Sequence, residues 1–329
     1  MSTKTLLFRG LLTFAALAAI PHIFAVYTTA GAGTSTHFLT KIFSEEVVEY
    51  WFSLANDGSL FYIIVPFFLV ELVRYIFLKR MSWHLVGDSI ANVLTLVAFL
   101  AIEVILGLLF FYQLYFWVYQ NLSLPALPLN LITIISCILL ADFAYYWDHR
   151  LMHRIGVGWA THTVHHSSPH FNMSVAYRFG PLDAIIPILF SIPLVMLGFN
   201  PWLLLVAELF VQTYQAILHT EIIGKLPKPI EYLFNTPSHH RVHHGVNRQY
   251  WDKNYAGILI IWDRLFGTFE EEQEKVRYGV SEPIDSVNPL VVFFHGFTRL
   301  FQKMSQAKGL KNKLLYLVKP PGWQAKEGQ

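Results

Sequence analysis

The sequence predicts an all-α, polytopic integral-membrane bundle with a histidine-rich cap for two metal ions, and three observations carry that prediction. Hydrophobic residues make up 54% of the 329-residue chain and charged residues only 14%, against about 25% charge in a typical soluble domain. Six apolar stretches approach the roughly 20 helical residues that cross a hydrocarbon core of ~30 Å: residues 6–26, 60–78, 89–119, 127–147, 181–197 and 201–218. Most of the 15 histidines are clustered in the second half, at spacings of three and four. Net charge is +2, with 24 Lys+Arg against 22 Asp+Glu, so no global basic field recommends nucleic acid as a partner.

The first stretch carries Lys4 and Arg9 at its N-terminal end and ends near "TTAGAG". It reads either as a retained anchor or as a secretory signal peptide; cleavage would remove one span and leave the orientation of the others unchanged. The second stretch contains Glu71 and Arg74, three residues apart and able to pair on one helix face, which offsets the cost of about 2.5–3.5 kcal/mol for an intramembrane charge. At about 1.5 Å per residue the third stretch overruns a bilayer. It must tilt, project or break near Gly107, and a break could add a span and reverse everything after it. The fourth holds Cys137, the one cysteine, expected as a small buried side chain. Glu103 in the third stretch and Glu208 in the sixth have no local partner.

Loop charge sets the orientation, because Lys and Arg near span ends favour the cytoplasmic side. Lys79 and Arg80 follow the second stretch, Arg150, Arg154 and Arg178 follow the fourth, and the segment after the sixth is rich in both. Residues 28–59 hold only Lys41 against four acids, and 120–126 and 198–200 hold no charge. Six spans with both termini cytoplasmic fit this pattern. With no internal repeat, the chain divides into an N-terminal membrane region at 1–130, a catalytic region at 131–275, and a basic amphipathic tail at 276–329. The tail is expected to lie on the cytoplasmic membrane face, the alternative being packing on the domain.

"DHRLMH" places His149 and His153 four apart, hence on one helix face. "HTVHH" gives His162, His165 and His166, and "HHRVHH" repeats the spacing with His240, His243 and His244. His219 stands alone after the sixth stretch. Neutral imidazole is a common metal ligand, and nine exceed one ion's shell; they suit two ions with four or five imidazoles each. His22, His37, His84, His170 and His295 sit outside the spacings. His239 is out of phase with its box and is assigned to a supporting position beside the ligands or to none. Ligating histidines commonly donate their second N–H to a carboxylate or carbonyl, and Asp148, Glu221, Asp252 and Asp263 are near enough in sequence to accept. Imidazole suits zinc, copper, nickel and iron alike. Iron is favoured because dioxygen activation needs electrons delivered at the metal, which zinc does not supply. A metal transporter or storage protein is the rival, but transport sites lie near the bilayer midplane, whereas these histidines lie at span ends.

At these residues the sequence resembles the fatty acid hydroxylase/sterol desaturase superfamily, whose pattern is HxxxH, HxxHH and a final HxxHH. "HHSSPHFNMSVAYR", "HTEIIGKLP" and "NTPSHHRVHHGVNRQYWDKNYAGILIIWDRLFGTFEEE" are similar to the alkylglycerol monooxygenase branch. The resemblance implies an O₂-dependent lipid monooxygenase holding two Fe ions on the nine histidines, which hydroxylates the ether-linked carbon of alkylglycerols. The reductant it implies is tetrahydrobiopterin, with an electron-donor protein left open, since the sequence carries no Rossmann or flavin fingerprint. Related members hydroxylate or desaturate sterols and fatty acyl chains. Fatty acid 2-hydroxylases carry a histidine where this chain has Gln215, which makes Gln215 a candidate supporting partner and argues against that branch's substrate.

Overall fold

The computed structural model describes residues 69–106 and 110–325. The first expected span, the choice between anchor and signal peptide, and residues 60–68 of the second span lie outside the described residues. Residues 69–77 are helical. Helix α1 is Trp83–Leu106, α2 Tyr112–Asn121, α3 Leu131–Arg154, α4 Gly156–His166, α5 Ile188–Met196 and α6 Pro201–Leu218. Short helices α7 (Lys228–Leu233), α8 (Pro237–His243) and α9 (Ile261–Leu265) follow, then α10 (Pro289–Gln306) and α11 (Leu310–Val318). Among the described residues the only β pairing is an isolated antiparallel bridge between Gly245 and Tyr278.

Three of these helices, α1, α3 and α6, are long and apolar enough to cross a membrane. Their exposed faces carry Ile90, Val93 and Val97, Ile132, Ile135 and Leu139, and Leu209, Phe210 and Ile217, an apolar exterior that water would not tolerate over this area and a bilayer would. The inner faces of α3 and α6 meet in a core of Ile134, Cys137 and Ala141 with Leu203, Leu204, Ala207 and Val211. Caps fix where α3 and α6 begin. The Asn130 side chain accepts from the Thr133 amide at 3.0 Å, and the Asn200 side chain accepts from the Trp202 amide at 2.8 Å with Pro201 at the first helical position. At 24 residues, α3 is about 36 Å long. It therefore outruns a ~30 Å core and carries His149 and His153 on its last turns.

In the long third stretch α1 is described to Leu106 and α2 from Tyr112, and the expected break near Gly107 lies outside the described residues. No reversal results. Asp88 in α1 lies at the level of α4 through Arg178, whereas just past α2 the Leu124 amide bonds to the Met196 carbonyl at 2.8 Å, at the far end of the bundle. The fifth expected span is corrected in form. Only nine residues form regular helix α5, with Pro193 inside it; residues 181–187 are irregular turns. Proline removes an amide donor and crowds the preceding turn, which keeps this segment from a full-length helix. The pass itself exists. Its start is held to α4 by the Leu182 amide and Asp183 carboxylate on Thr161, and its end lies at Met196 beside Leu124. Without it, α3 and α6 could not both run toward the histidines.

Two acids of the apolar stretches, Glu71 and Glu208, find partners. Glu208 accepts a hydrogen bond from Ser191 on α5, and Arg74 lies 3.6 Å from Glu71 and 2.8 Å from Glu221. The tail turns one face to the domain. Helix α10 buries Val292, Phe293, His295, Gly296 and Leu300 and packs on α4, close enough that a Cβ at Gly296 would collide with the Ala160 carbonyl. Packing on the domain uses that face, while Phe294, Phe301, Leu310 and Leu314 stay exposed on the other.

Candidate metal centre

Four helix ends deliver the histidines to one place. His149 and His153 come from the last turns of α3, His162, His165 and His166 from α4, His219 from the C-cap of α6, and His240, His243 and His244 from α8 and its C-cap. All nine converge in two groups: His149, His153, His162, His166 and His243 in one, and His165, His219, His240 and His244 in the other. Within each group one ligand atom per residue lies within 4.8 Å of every other.

The division follows helix geometry. At 3.6 residues per turn, positions i and i+4 are only about 40° apart around the axis, whereas i+3 falls about 60° to the other side. In each box the i, i+4 pair therefore stays together: His149 with His153, His162 with His166, and His240 with His244. The i+3 member of each HxxHH box, His165 or His243, crosses to the other group. The groups abut, with the His166 and His244 rings stacked at 4.5 Å between centroids and His162 and His165 at 5.3 Å.

Hydrogen bonds fix which nitrogen of several rings is bare. The Nδ1 of His149 donates to the Tyr255 carbonyl at 2.8 Å, that of His165 to the Arg178 carbonyl at 3.2 Å, that of His219 to the Gln215 carbonyl at 2.9 Å, and that of His243 to the Lys253 carbonyl at 2.9 Å. A carbonyl only accepts, so each Nδ1 carries the proton and each neutral ring presents an Nε2 lone pair inward. The consequence is sharpest for His165 and His219, whose Nε2 atoms face each other at 3.2 Å. Two lone pairs at that distance repel unless a cation sits between them. Burial holds His165 well below the ordinary histidine pKa and pushes His219 down to about 3, so a proton is not that cation near neutral pH.

A metal ion fits. With metal–nitrogen bonds of 2.0–2.1 Å, two imidazoles sharing one ion at 90–110° place their nitrogens about 2.9–3.4 Å apart. The observed Nε2 separations are 3.0 Å for His149–His162, 2.9 Å for His219–His240 and 3.2 Å for His240–His244. In the five-membered group, Nε2 of His153, His166 and His243 are buried without a hydrogen-bond partner. Each such atom costs about 1–3 kcal/mol if left bare. Burial also holds His162, His166, His240 and His244 well below their ordinary pKa, and His243 at about 4, so the lone pairs are available at neutral pH.

The carbonyls that orient the rings are themselves held. Asp263, fully buried, accepts from the Tyr255 and Ala256 amides at 2.8 Å and from Thr268 at 2.6 Å. Asp142 on α3 accepts from the Ile258 amide at 2.6 Å, the Leu259 amide at 3.0 Å and the Trp262 indole at 2.9 Å. These two carboxylates lock the loop after the third box onto α3. Arg178 does the same on the other side, donating to the Val164 carbonyl at 2.8 Å, to Ser167, to Asp88 at 2.8 Å and to Asn92 at 2.6 Å, while its own carbonyl receives His165.

The remaining sequence candidates fall unevenly. Gln215 touches His219 through its backbone carbonyl, and its side-chain nitrogen is buried without a partner. Glu221 bonds to Arg74 instead of a histidine. Asp252 ion-pairs with Arg154 at 2.6 Å and stays 4.0 Å from His153 Nδ1. Asp148 is buried with its Oδ1 unpartnered. His239 points away from both groups, its Nε2 3.0 Å from Glu231, and Glu231 also accepts from Ser238 and Thr236. His84 and His170 pair with each other at 3.1 Å, and His295 bonds the Val292 carbonyl. Sequence reasoning missed Asp142 and Arg178 as supports. Both are charges in apolar surroundings, a signal that asks for a buried partner without saying which.

An apolar helical bundle capped by two adjoining groups of imidazoles, eight of the nine buried, is the arrangement of a membrane protein suited to hold metal at the end of its bundle. Residues 134–268 match the family model described as Fatty acid hydroxylase. It is similar to alkylglycerol monooxygenase from Homo sapiens, 43% identical over 210 residues, which is 64% of this chain and 47% of the relative. Alkylglycerol monooxygenase from Caenorhabditis elegans is 38% identical over 64% of this chain and 44% of the relative. An ornithine lipid hydroxylase from Rhizobium tropici is 33% identical over 40% of each. The chain thus spans under half the length of these relatives. No solved structure matches.

Proposed function

We propose that this protein is an O₂-dependent di-iron lipid monooxygenase of the membrane, and that it hydroxylates the ether-linked carbon of alkylglycerols. The observation that carries the reading is the pair of abutting groups, five and four neutral imidazoles, on a chain similar to alkylglycerol monooxygenases. His149, His153, His162, His166 and His243 would hold one iron, and His165, His219, His240 and His244 the other. Bound iron supplies dioxygen activation and removal of hydrogen from an unactivated C–H bond, which redox-inert zinc does not. The balance is R–H + O₂ + XH₂ → R–OH + H₂O + X, with XH₂ a two-electron reductant.

The chain's own residues do the rest. Carbonyls of Tyr255, Arg178, Gln215 and Lys253 hold four rings in one tautomer, so the ligands need no rearrangement to bind. Because α3 and α6 end at the histidines, an alkyl chain reaches the centre from the hydrocarbon side, while O₂ and a polar reductant have the opposite, cytoplasmic side. Tetrahydrobiopterin is the reductant the alkylglycerol monooxygenase likeness favours. The catalytic region corresponds to residues 131–275, between the membrane region 1–130 and the tail 276–329. Hydroxylation or desaturation of a sterol or fatty acyl chain is the alternative, supported by the more distant lipid hydroxylase and putative methylsterol monooxygenase relatives.

Hydroxylation at an ether-linked carbon gives a hemiacetal, which collapses to aldehyde and free glycerol. Iron-loaded protein in detergent, given a 1-O-alkylglycerol, O₂ and tetrahydrobiopterin, is therefore expected to release fatty aldehyde and glycerol in equal amounts, and none under argon. Oxygen-dependent products from sterols or fatty acids with no aldehyde from the ether lipid would overturn the substrate assignment. Metal flux into proteoliposomes without oxygen use would overturn the enzyme.

A further inference from the structure

Beside the four-histidine group the surface opens into a polar cavity of about 300 Å³. Two ion pairs wall it, Arg74 with Glu221 at 2.8 Å and Arg241 with Glu272 through a bidentate contact at 2.7 and 2.9 Å. Arg80 and Lys275 also line it. Among the described residues neither side chain has an acidic partner, so the cavity keeps an excess of positive charge. Val276 and Tyr278 form its apolar part.

Tyr278 leads inward. Its ring stacks on Phe171 at 4.8 Å with only 9° between planes, and Phe171 is buried. Phe171 in turn lies 5.1 Å from His244, 5.6 Å from His219 and 6.3 Å from His240 between ring centroids. One phenyl ring thus separates the cavity's tyrosine from three of the four imidazoles. The cavity wall is also tied to the third histidine box: the Val246 amide bonds the Arg277 carbonyl at 2.7 Å, Asn247 accepts from the Arg277 amide at 2.8 Å, and Gly245 bridges Tyr278.

We infer that this cavity is the docking site of a small, water-soluble, heteroaromatic two-electron reductant, and that the Tyr278–Phe171 stack is its electron path into the four-histidine group. The inference rests on the oxygenase reading, which requires such a reductant. Size and chemistry fit: the cavity suits a bicyclic ring system, its carboxylates and guanidinium groups offer acceptors and donors to ring N–H and carbonyl groups, and Tyr278 offers a face for stacking. The reductant gives up two electrons and two protons. The electrons pass to the metal centre through the packed rings, and the protons end in the water formed from O₂.

Equilibrium dialysis of iron-loaded protein against tetrahydrobiopterin under argon tests the site without lipid or turnover. The double variant Arg80→Glu/Lys275→Glu is expected to bind at least tenfold more weakly with iron content unchanged. Phe171→Leu is expected to bind as wild type does, yet its ferric form should be reduced at least tenfold more slowly when followed by absorbance, with Phe171→Tyr restoring the rate. Wild-type protein that retains no pteridine, or a double variant that retains as much as wild type, overturns the docking site; unchanged reduction of Phe171→Leu overturns the path. Reduction by an acidic electron-donor protein alone would also overturn it. Failure of the oxygenase reading is distinguishable, because it would show as pteridine binding and reduction without an oxygen-dependent product from any lipid supplied.

Discussion

Replacing His219 by alanine is expected to remove one iron of two and to lower lipid oxygenation at least 100-fold. His219 faces two other ligands, with Nε2 at 3.2 Å from His165 and 2.9 Å from His240, so its loss opens the middle of the four-histidine group. The five-histidine group shares no residue with it and should keep its ion. Even groups that only support metal ligands typically cost 10–100-fold in affinity or activity when removed, and a ligand at the centre of its group should cost more. His153→Ala is the mirror case, since its buried and unpartnered Nε2 belongs to the other group. Iron counted per chain in the two variants, beside the aldehyde assay, checks the pair. Retention of both irons and of full activity in His219→Ala would mean that the four-histidine group is no metal site.

Arg178→Met is expected to destabilise the protein more than any surface change. Arg178 is 1% exposed, as is Asp88, and the substitution leaves the Asp88 carboxylate with Ser168 as its remaining side-chain partner. Removing one member of a buried ion pair costs about 3–5 kcal/mol. At roughly 2–4 °C per kcal/mol for a large domain, the unfolding midpoint should fall by on the order of 10 °C. Iron content should fall as well, because the displaced segment carries the carbonyl that orients His165. Adding Asp88→Asn removes the uncompensated charge and should recover part of the midpoint without restoring the metal. Thermal unfolding in detergent with iron analysis measures both. A midpoint within about 2 °C of wild type would show that Arg178 does not clamp α1 to α4.

Eight of the nine histidines were legible in the sequence because helical spacing is local: a box of HxxHH puts its rings on one side of a helix wherever that helix lies. Their distribution between two groups was not legible, since each HxxHH box divides across both groups and the division depends on how α4 and α8 face each other. His219 had no spacing at all, and only the end of α6 brings it in. Long apolar runs gave α3 and α6 correctly. The run at 181–197 gave a crossing but not its form, because hydropathy counts apolar residues and does not weigh Pro187 and Pro193 against helix continuity. The supports were least legible. Carboxylates near the boxes were candidates beside carbonyls to hold the rings; backbone carbonyls do so for four of them, and Asp142 and Asp263 act one step behind on amides more than 100 residues away in one case and 8 or fewer in the other. Glu221, expected beside a histidine, is claimed by Arg74 across 147 residues.

The central claim is that the two histidine groups hold a dinuclear iron centre. The direct measurement is iron, zinc and copper per chain in protein purified gently in detergent and reconstituted anaerobically with ferrous iron. Two irons per chain, lost together with O₂-dependent lipid oxidation on chelation and restored with it, is the predicted result. Two tightly held zinc ions with little iron after reconstitution, or one iron per chain in fully active protein, would contradict it.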